Sequence, residues 1–308
     1  MTDAQNSTVP VINASDLLEK FLDYQKEYNG KVVGAKFGAE IADDEKAVRE
    51  IARQASIMCR THMGPLLFFV HGGGLVIDKA LKDASITPEK DLKTGLRITD
   101  PKTMEICDRE LRALNGRLVR IFNSVNQDVW AHGMAGYDGG LLSGIPLDPE
   151  NNNFTGNITK VNTKLLSKLM NRRSGINIPM IYSICHSSEA GAAGYRINVN
   201  ADNAAAAVAD AMQARRMLFL TNSHVRDKNG DPISKINVND VERLIADGTI
   251  TDGMIPKVRA ARDLTLKLPA DGGVVILDGK KAHCMLDELY GTGGGSLVTR
   301  DKAPTLSM

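Results

Sequence analysis

The sequence predicts an α/β fold built around a mainly parallel sheet, and three observations lead to that prediction. Short apolar runs without alternation recur along the chain, as in strands that are buried on both faces, and residues 65–70 are the clearest example. Stretches with helical apolar spacing separate these runs. Neither a repeat nor a low-complexity linker interrupts the order, so strands and helices alternate as in βαβ units.

The first predicted element is a helix at residues 15–28. Ser15 is its candidate N-cap, and Asn29 and Gly30 mark its end. The apolar stripe of this helix comprises Leu17, Leu18, Phe21, Leu22 and Tyr28. Such a stripe must be buried on something.

The next elements follow from the same two periodicities, helical spacing for helices and short apolar runs for strands. In order, they are strand 31–36, helix 43–63, strand 65–70, helix 101–123, strand 128–134, helix 163–173 and strand 178–184. The character of the chain changes near residues 187–194, which we take as the candidate internal boundary.

The C-terminal part begins with an Ala-rich helix at residues 203–214. Gly253 and Pro256 mark the opening turn of a later helix. The remaining elements are strand 216–221, helices 238–247 and 253–266, strand 273–277, helix 281–290 and strand 296–300.

Composition narrows the function classes. The formal net charge of +1 favours neither nucleic acid nor a membrane surface as a partner. No apolar stretch approaches about 20 residues, so no transmembrane helix is expected. The first ten residues lack the basic and apolar regions of a signal peptide, and we expect a cytoplasmic location. The four cysteines are scattered without a CxxC pair, which favours reduced thiols over disulfides or a metal centre.

Glycines follow two of the predicted strands. One segment reads Lys36-Phe-Gly38-Ala39 and the other His71-Gly-Gly-Gly74. Bare backbone N–H groups at the carboxyl ends of parallel strands can surround an anion. Neither the dinucleotide pattern GxGxxG nor the Walker pattern is present. Ordinary turn glycines are the alternative interpretation.

Two lysines strengthen the anion hypothesis. Lys36 precedes the first glycine turn, and Lys257 lies at the start of a predicted helix, where a cation opposes the helix dipole. A transferring phosphoryl group needs fixed cations of this kind. Asp202, at the start of the helix after Asn198, could cap that helix, hold the lysines in place, or do both. Solvated surface charges are the simpler explanation for each lysine alone.

Six segments together resemble the N-acetylglutamate kinases of the amino acid kinase superfamily, over the whole chain from about residue 15. They are KFG (36–38), FVHGGG (69–74), GLRITD (95–100), INVNAD (197–202), DGMIPKV (252–258) and ILDGKKAH (276–283). The resemblance implies a three-layer sandwich, an open, mainly parallel sheet with helices on both faces. It also implies ATP with Mg²⁺, with no metal held by a protein ligand set, and N-acetyl-L-glutamate as the acceptor.

The resemblance implies roles for individual residues. Lys36 and Lys257 would stabilise the phosphoryl group, with Asp202 organising them. Arg97 would grip the α-carboxylate of the substrate, and Asn198 would hold the same substrate. The remaining implied residues are Gly38 for phosphate, Gly73 and Gly74 for the acceptor, and Thr221 and Asn222 for the nucleotide.

The resemblance also implies an organisation. Residues 1–30 would form an extension whose helix links dimers into a hexamer, 31–190 would bind the acyl amino acid and form the dimer, and 191–308 would bind ATP. L-Arginine would bind beside the extension, at a site formed by His283, Glu288, Gly293 and Gly295 and inhibit the enzyme; an ordinary surface helix and turn is the alternative. The loop after Glu288 is one residue shorter than usual.

Three positions depart from the family pattern. Ala39 replaces a second glycine, Asn222 replaces an aspartate after the nucleotide strand, and Tyr137 stands where lysine is common. Two alternatives to the acetylglutamate kinase therefore stay open: a kinase for another acyl or carrier-linked amino acid, and a non-catalytic ligand-binding regulator with the same fold. His71 is interpreted as a residue that shapes the turn, not as a proton-transfer group.

Overall fold

A computed structural model describes residues 13–60, 63–92, 94–125, 128–188, 195–251, 253–289 and 293–300. The helices in these ranges are α1 (Ala14–Tyr28), α2 (Ala39–Asp43), α3 (Glu45–Arg60), α4 (Gly74–Asp83), α5 (Pro101–Val125), α6 (Thr163–Leu169), α7 (Ala201–Ala211), α8 (Val241–Ala246), α9 (Met254–Thr265) and α10 (Cys284–Leu289). The strands are β1 (Val32–Phe37), β2 (Leu66–His71), β3 (Val129–Ala135), β4 (Leu142–Asp148), β5 (Asn153–Val161), β6 (Ile176–Tyr182), β7 (Ile184–Ser187), β8 (Arg196–Val199), β9 (Arg216–Thr221), β10 (Lys235–Asn237), β11 (Gly273–Asp278) and β12 (Gly295–Thr299).

Eight strands form the main sheet, in the order β10-β12-β11-β9-β1-β2-β6-β3. The six strands from β11 to β3 in this order are parallel to one another. β12 is antiparallel to β11, and β10 is parallel to β12. The carboxyl ends of β1, β2 and β9 therefore meet at one edge of the sheet. The predicted α/β fold with a mainly parallel sheet is confirmed.

The two faces of the main sheet are both covered, which gives three layers. Along β2, Leu67 and Phe69 pack in a core with residues of α3 and α5, while Phe68 and Val70 pack in another core with residues of α7 and α9. This division explains why the strand reads as an unbroken apolar run, since every side chain along it has a helix layer to enter.

A second, smaller sheet contains β4, β5, β7 and β8 and closes on itself. β4 and β8 each pair with both β5 and β7. Most of these strands were not predicted; β5, for example, is rich in Asn, Thr and Gly and carries no apolar periodicity. The strand predicted at residues 178–184 covers most of β6 and the first residue of β7.

Three helix predictions need correction. The helix expected at residues 43–63 corresponds to α3, and the short helix α2 before it was not predicted; Asp44 between the two accepts the Ala47 N–H at 3.0 Å. Helix α4 was not predicted at all, because its first residue belongs to the glycine run. The N-cap of α1 is Asn13, whose Oδ1 accepts the Asp16 N–H at 2.9 Å, and not Ser15.

The apolar stripe of α1 divides into two parts. Tyr24 and Tyr28, in the C-terminal half, are buried against the core of their own chain. Leu18 and Leu22 are 58% and 53% exposed. The side chain of Leu17 lies outside the described part. Within a single chain, the C-terminal end of α1 is therefore buried and the exposed leucines are not.

All four cysteines are free and buried, as expected for reduced thiols. No helix in the described ranges combines the length and the apolar content that crossing a bilayer requires.

Candidate active site

A cavity of about 230 Å³ opens at the carboxyl edge of the main sheet, where β1 and β2 end side by side. Its lining includes Lys36, Gly72, Gly73, Gly74, Lys90, Arg97, Thr155, Ser183, Asn198 and Asp202. Among the described lining residues, three are cationic and Asp202 alone is acidic. The cavity therefore favours an anionic ligand.

Lys36, near the end of β1, forms an ion pair with Asp202. Its Nζ lies 2.8 Å from Asp202 Oδ1, and its side chain is 14% exposed. Asp202 does not cap α7, because the Asp202 N–H is itself accepted by Asn200 Oδ1 at 2.7 Å. Of the two roles considered for Asp202, the structure supports only the one that holds a lysine. The pair fixes one cation at the cavity wall.

Arg97 lines the same cavity and carries a buried hydrogen-bond donor that is not used by any described residue. Its side chain is 9% exposed, and Nη2 is paired with the Asp78 carboxylate of α4. Its Nη1 is buried and has no hydrogen-bond partner in the described part of the chain. A buried guanidinium nitrogen without a partner costs free energy unless a ligand supplies the acceptor. A carboxylate suits this position, because the guanidinium fork can then be satisfied in full.

Asn198 is held in the cavity by hydroxyl groups from other elements. Its Nδ2 donates to Thr99 Oγ1 at 3.0 Å, and Thr155 Oγ1 lies 2.8 Å from the same oxygen. The Thr155 hydroxyl also donates to the carbonyl oxygen of Arg97. These bonds tie the small sheet to the segment that carries Arg97. They also leave Asn198 Oδ1 as an acceptor for a ligand N–H group.

The three glycines after β2 permit close packing, and none of them has a positive φ. A Cβ at Gly72 would lie 2.9 Å from Ala201 Cβ, and a Cβ at Gly73 would lie 2.7 Å from a methyl group of Leu111. Gly74 begins α4, whose first N–H groups have no partner within the helix. The glycines therefore bring α5 and α7 close to the strand end and leave backbone donors beside the cavity.

His71 shapes this turn, as the sequence predicted. It is fully buried, its Nδ1 donates to the Gly72 carbonyl at 3.0 Å, and its Nε2 accepts from Asn115 Nδ2 at 2.9 Å. Burial lowers the pKa of His71 to about 4. A neutral imidazole with both nitrogens occupied is a structural group and not a proton carrier.

Gly38 corrects one expectation. Its N–H donates to the Leu220 carbonyl at 2.8 Å and is not available to a phosphate. Ala39, by contrast, lines the cavity and begins α2 without a positive φ. The replacement of the second glycine by alanine therefore brings no backbone strain.

The residues expected to bind nucleotide lie outside this cavity. Thr221 is buried at the end of β9, where its hydroxyl donates to the Ser223 carbonyl at 2.6 Å, and Asn222 is exposed. Lys257 lies in the first turn of α9 and does not line the cavity. A groove between α7 and α9 is lined by both Asp202 and Pro256, so the start of α9 faces the carboxylate that Lys36 binds.

Of the residues predicted to bind arginine, Glu288 and Gly295 lie together, whereas His283 lies elsewhere. Glu288 Oε2 accepts the N–H groups of Gly294 at 3.2 Å and Gly295 at 3.1 Å. Burial raises the pKa of the Glu288 carboxyl group. The charge of Glu288 also contributes to the raised pKa of Tyr28 in α1, which is due mainly to burial. His283 faces α3 instead, where its Nδ1 lies 2.9 Å from Arg53 Nη2.

Gly293, the remaining residue of that prediction, has a φ of 71° and donates its N–H to the Asp287 carbonyl at 3.1 Å. It shapes the turn between α10 and β12. The intervening residues 290–292 lie outside the described part of the chain.

Sequence reasoning missed several residues of the site. Asp78, Thr99, Thr155 and Asn200 orient the cavity side chains, and no role was predicted for any of them from the sequence, although Asn200 is a carboxamide at the start of a predicted helix. Asn200 could have been found, because it directly precedes the first turn of a helix, where asparagine is a preferred cap. Thr155 gave no signal, because only the closure of the small sheet brings it to Arg97.

Comparisons with known proteins agree with this geometry. The sequence profile of the amino acid kinase family matches residues 31–270. The chain is 35% identical over 313 residues to an acetylglutamate kinase from Bradyrhizobium sp. (strain ORS 278), with 97% of this chain and 99% of that protein covered. It is 33% identical over 296 residues to an acetylglutamate kinase from Agrobacterium fabrum (strain C58 / ATCC 33970), with 92% and 96% covered.

A solved structure shows the same fold at lower identity. The N-acetylglutamate synthase from Neisseria gonorrhoeae superposes with a TM-score of 0.77 at 18% identity, over 95% of this chain and 65% of the synthase. The resemblance drawn from six motifs is confirmed by the family match and by the relatives. The chain belongs to the amino acid kinase family.

Proposed function

We propose that this chain is an acetylglutamate kinase, which transfers the γ-phosphoryl group of ATP to the γ-carboxylate of N-acetyl-L-glutamate in arginine biosynthesis. The observation that supports it most directly is that Arg97, whose buried Nη1 has no partner in the described part of the chain, lines the same cavity as the Lys36–Asp202 pair. One end of the cavity thus suits a fixed carboxylate, and the other suits a second anionic group at a lysine.

The acceptor would lie along the cavity in one direction. Its α-carboxylate would bind Arg97, and its acetamido N–H would donate to Asn198 Oδ1. Its γ-carboxylate would then point toward Lys36 and the first N–H groups of α4. A γ-carboxylate oxygen attacks the γ-phosphorus, a P–O bond forms, and the bond to the bridging oxygen breaks with its electron pair leaving on ADP.

Catalysis would consist of positioning and charge compensation, since the nucleophile belongs to the substrate. Lys36 offsets charge on the transferring oxygens. Lys257 would complete the clamp once ATP draws the start of α9 toward Asp202. Mg²⁺ would be held chiefly by the ATP phosphates, because it usually needs only one or two protein carboxylates and Asp202 is the acid of this cavity.

The two parts of the chain would divide the work. Residues 31–190 would supply most of the acceptor site, and residues 191–308 would supply the nucleotide site with Thr221 and Asn222. Asn198 and Asp202 belong to the second part yet line the acceptor cavity, so the proposed boundary runs along the wall of the cavity.

The direct test traps the product. Purified protein is incubated with Mg-ATP, hydroxylamine and a panel of acyl amino acids, and the hydroxamate is measured. N-Acetyl-L-glutamate should give the highest kcat/KM. A higher kcat/KM for another acyl amino acid would show that N-acetyl-L-glutamate is not the preferred acceptor. No hydroxamate with any acceptor, together with tight calorimetric binding of one of them, would favour the non-catalytic regulator.

The same proposal includes a homo-oligomer inhibited by L-arginine. Leu18 and Leu22 of α1 remain exposed in the single chain, which suits helix-to-helix contacts between dimers. The charge of Glu288 acts on Tyr28 of that helix, so a ligand bound at Glu288 could bias the assembly. Light scattering should give a hexamer, and deletion of residues 1–28 should give active dimers that ignore arginine. A full-length dimer indifferent to millimolar arginine would refute this part alone.

A further inference from the structure

A cluster of polar groups lies behind the acceptor cavity, at Asp108 of α5. The Asp108 side chain is 8% exposed. Its Oδ1 accepts the hydroxyl of Tyr182 at 2.9 Å and that of Tyr137 at 3.0 Å, and its Oδ2 is paired with Arg196 Nη1. The two tyrosine oxygens lie 3.1 Å apart, and Arg112 Nη2 donates to the Tyr137 hydroxyl. None of these residues lines the cavity among the described lining residues.

Arg196 and Tyr182 each lie close in sequence to residues that line the cavity. Arg196 and Asn198 lie two positions apart on β8 and so share one face, while Ile197 and Val199 are buried on the other. Tyr182 directly precedes Ser183, whose side chain lines the cavity and whose carbonyl accepts the Val199 N–H at 2.9 Å.

The helix that carries Asp108 also touches the glycine turn. Leu111 lies one turn further along α5, lines the cavity, and is the side chain that a Cβ at Gly73 would meet. The Asp108 carboxylate therefore links three walls of the cavity: the face of β8 that carries Asn198, the end of β6, and the helix beside the glycines.

We propose that the network of Tyr137, Tyr182 and Arg196 around Asp108 is a positioning device that sets the orientation of β8, and thereby of Asn198, for the acceptor. The inference rests on the proposed function and adds residues that touch neither substrate. Burial also raises the pKa of Tyr137 and of Tyr182, so both keep their hydroxyl protons across the working range. Each tyrosine therefore remains a donor to the Asp108 carboxylate.

The chain supplies matched variants for a test. Tyr137→Phe and Tyr182→Phe each remove one hydroxyl donor and keep the ring. Tyr137→Lys replaces the phenol by a cationic donor next to Asp108. Tyr195→Phe is the control, because Tyr195 adjoins Arg196, is 52% exposed, and stacks on Phe154 through its ring.

The kinetic readout separates positioning from general stability. Tyr137→Phe and Tyr182→Phe should each raise KM for N-acetyl-L-glutamate about five- to tenfold, as expected when one hydrogen bond to a charged group is lost. The KM for ATP and the kcat should stay within about twofold. Tyr137→Lys and Tyr195→Phe should both keep the wild-type KM for the acceptor. An unchanged acceptor KM in both phenylalanine variants, or an equal rise in the KM of both substrates, would overturn the inference.

Amide hydrogen exchange on the same proteins reads the network whether or not the enzyme is active. Exchange at residues 196–199 should be faster in the two network variants than in wild type and unchanged in Tyr195→Phe. If the wild type formed no acyl phosphate while exchange in β8 was still faster in the network variants, the proposed function would be refuted and the positioning role of the network would be supported. If exchange in β8 did not change, the positioning role itself would be refuted.

Discussion

Two buried histidines near the carboxyl edge of the main sheet have opposite surroundings. His71, at the end of β2, uses both ring nitrogens in hydrogen bonds to Gly72 and Asn115. His224, three residues beyond β9, is also buried, but neither of its ring nitrogens has a partner in the described part of the chain. The proposed acceptor side of the edge thus has most of its side chains held by direct bonds, with Arg97 Nη1, Asn198 Oδ1 and the first N–H groups of α4 left for a ligand. The proposed nucleotide side retains His224, whose ring nitrogens only a ligand or water can satisfy.

This difference indicates how the two halves of a kinase site can be built. Lys36, Asp202 and Asn198 are held by direct bonds within the chain, so the protein itself organises the proposed acceptor cavity. Lys257 lines no part of that cavity, and Asn222 is exposed. We therefore expect acceptor binding to require little ordering of the protein, and ATP binding to require more.

The largest effect is expected from Lys36→Met. The change keeps the length of the side chain but removes the charge beside the transferring oxygens, so kcat should fall by about 10²- to 10³-fold. The unfolding temperature should fall modestly, because Asp202 loses its partner, and acceptor binding should weaken far less than kcat falls, because the proposed contact of the α-carboxylate with Arg97 remains. A variant that folds, binds the acceptor and turns over at a near-native rate would show that the ion pair with Asp202 is not part of the phosphoryl clamp.

Lys257→Ala tests the nucleotide half alone. We expect kcat to fall by about 10²-fold, because a cation that acts late still stabilises the transition state. Calorimetric binding of N-acetyl-L-glutamate without ATP should match wild type, since Lys257 lies outside the formed cavity. Weaker acceptor binding in this variant would break the distinction between the two halves.

His71 should make stability depend on pH. Its folded-state pKa of about 4 lies below the ordinary value of 6.5, so the unfolded chain binds the proton first. The contribution is fully present above about pH 6.5 and is lost as the pH falls toward 4, up to about 3 kcal/mol of unfolding free energy. Urea unfolding at pH 7 and pH 4.5 should show a larger loss for wild type than for His71→Gln. Equal losses would mean that His71 is not held neutral.

Arg97→Lys should act on the acceptor only. Lysine keeps the charge but lacks the planar fork that can pair with Asp78 and a substrate carboxylate together. The KM for the acyl amino acid should rise about tenfold, and the KM for ATP should stay within twofold. Comparable increases for the two substrates would place Arg97 outside the acceptor cavity.

The sequence predicted these two halves unequally well. Lys36, the glycine run and Arg97 belong to short local motifs, and the parallel sheet brings strand ends together, so their meeting could be expected. The partners that orient them come from far along the chain. Asp78 reaches Arg97 across 19 positions, and Asn198 reaches Thr99 across 99. The short polar strands that create the second contact carry no periodicity to read.

Gly38 shows the opposite error. A local motif suggested a phosphate-binding N–H, but in the assembled sheet that N–H is already bonded to Leu220 on the neighbouring strand. The accounting of backbone donors depends on which strands pair, and a single sequence does not contain that information.

The smallest effect is expected from Asn222→Asp, which replaces the side-chain amide by a carboxylate. Asn222 is exposed at the end of β9, beside a segment whose His224 feels the positive charges of Lys281 and Arg226. A carboxylate there would offset those charges and could accept a hydrogen bond from the nucleotide, so the KM for ATP should fall about two- to fivefold. The KM for the acceptor should be unchanged, because that cavity is complete without this edge. An Asp variant with unaltered ATP kinetics would show that Asn222 does not contact the nucleotide and that the unsatisfied groups at this edge are met by water.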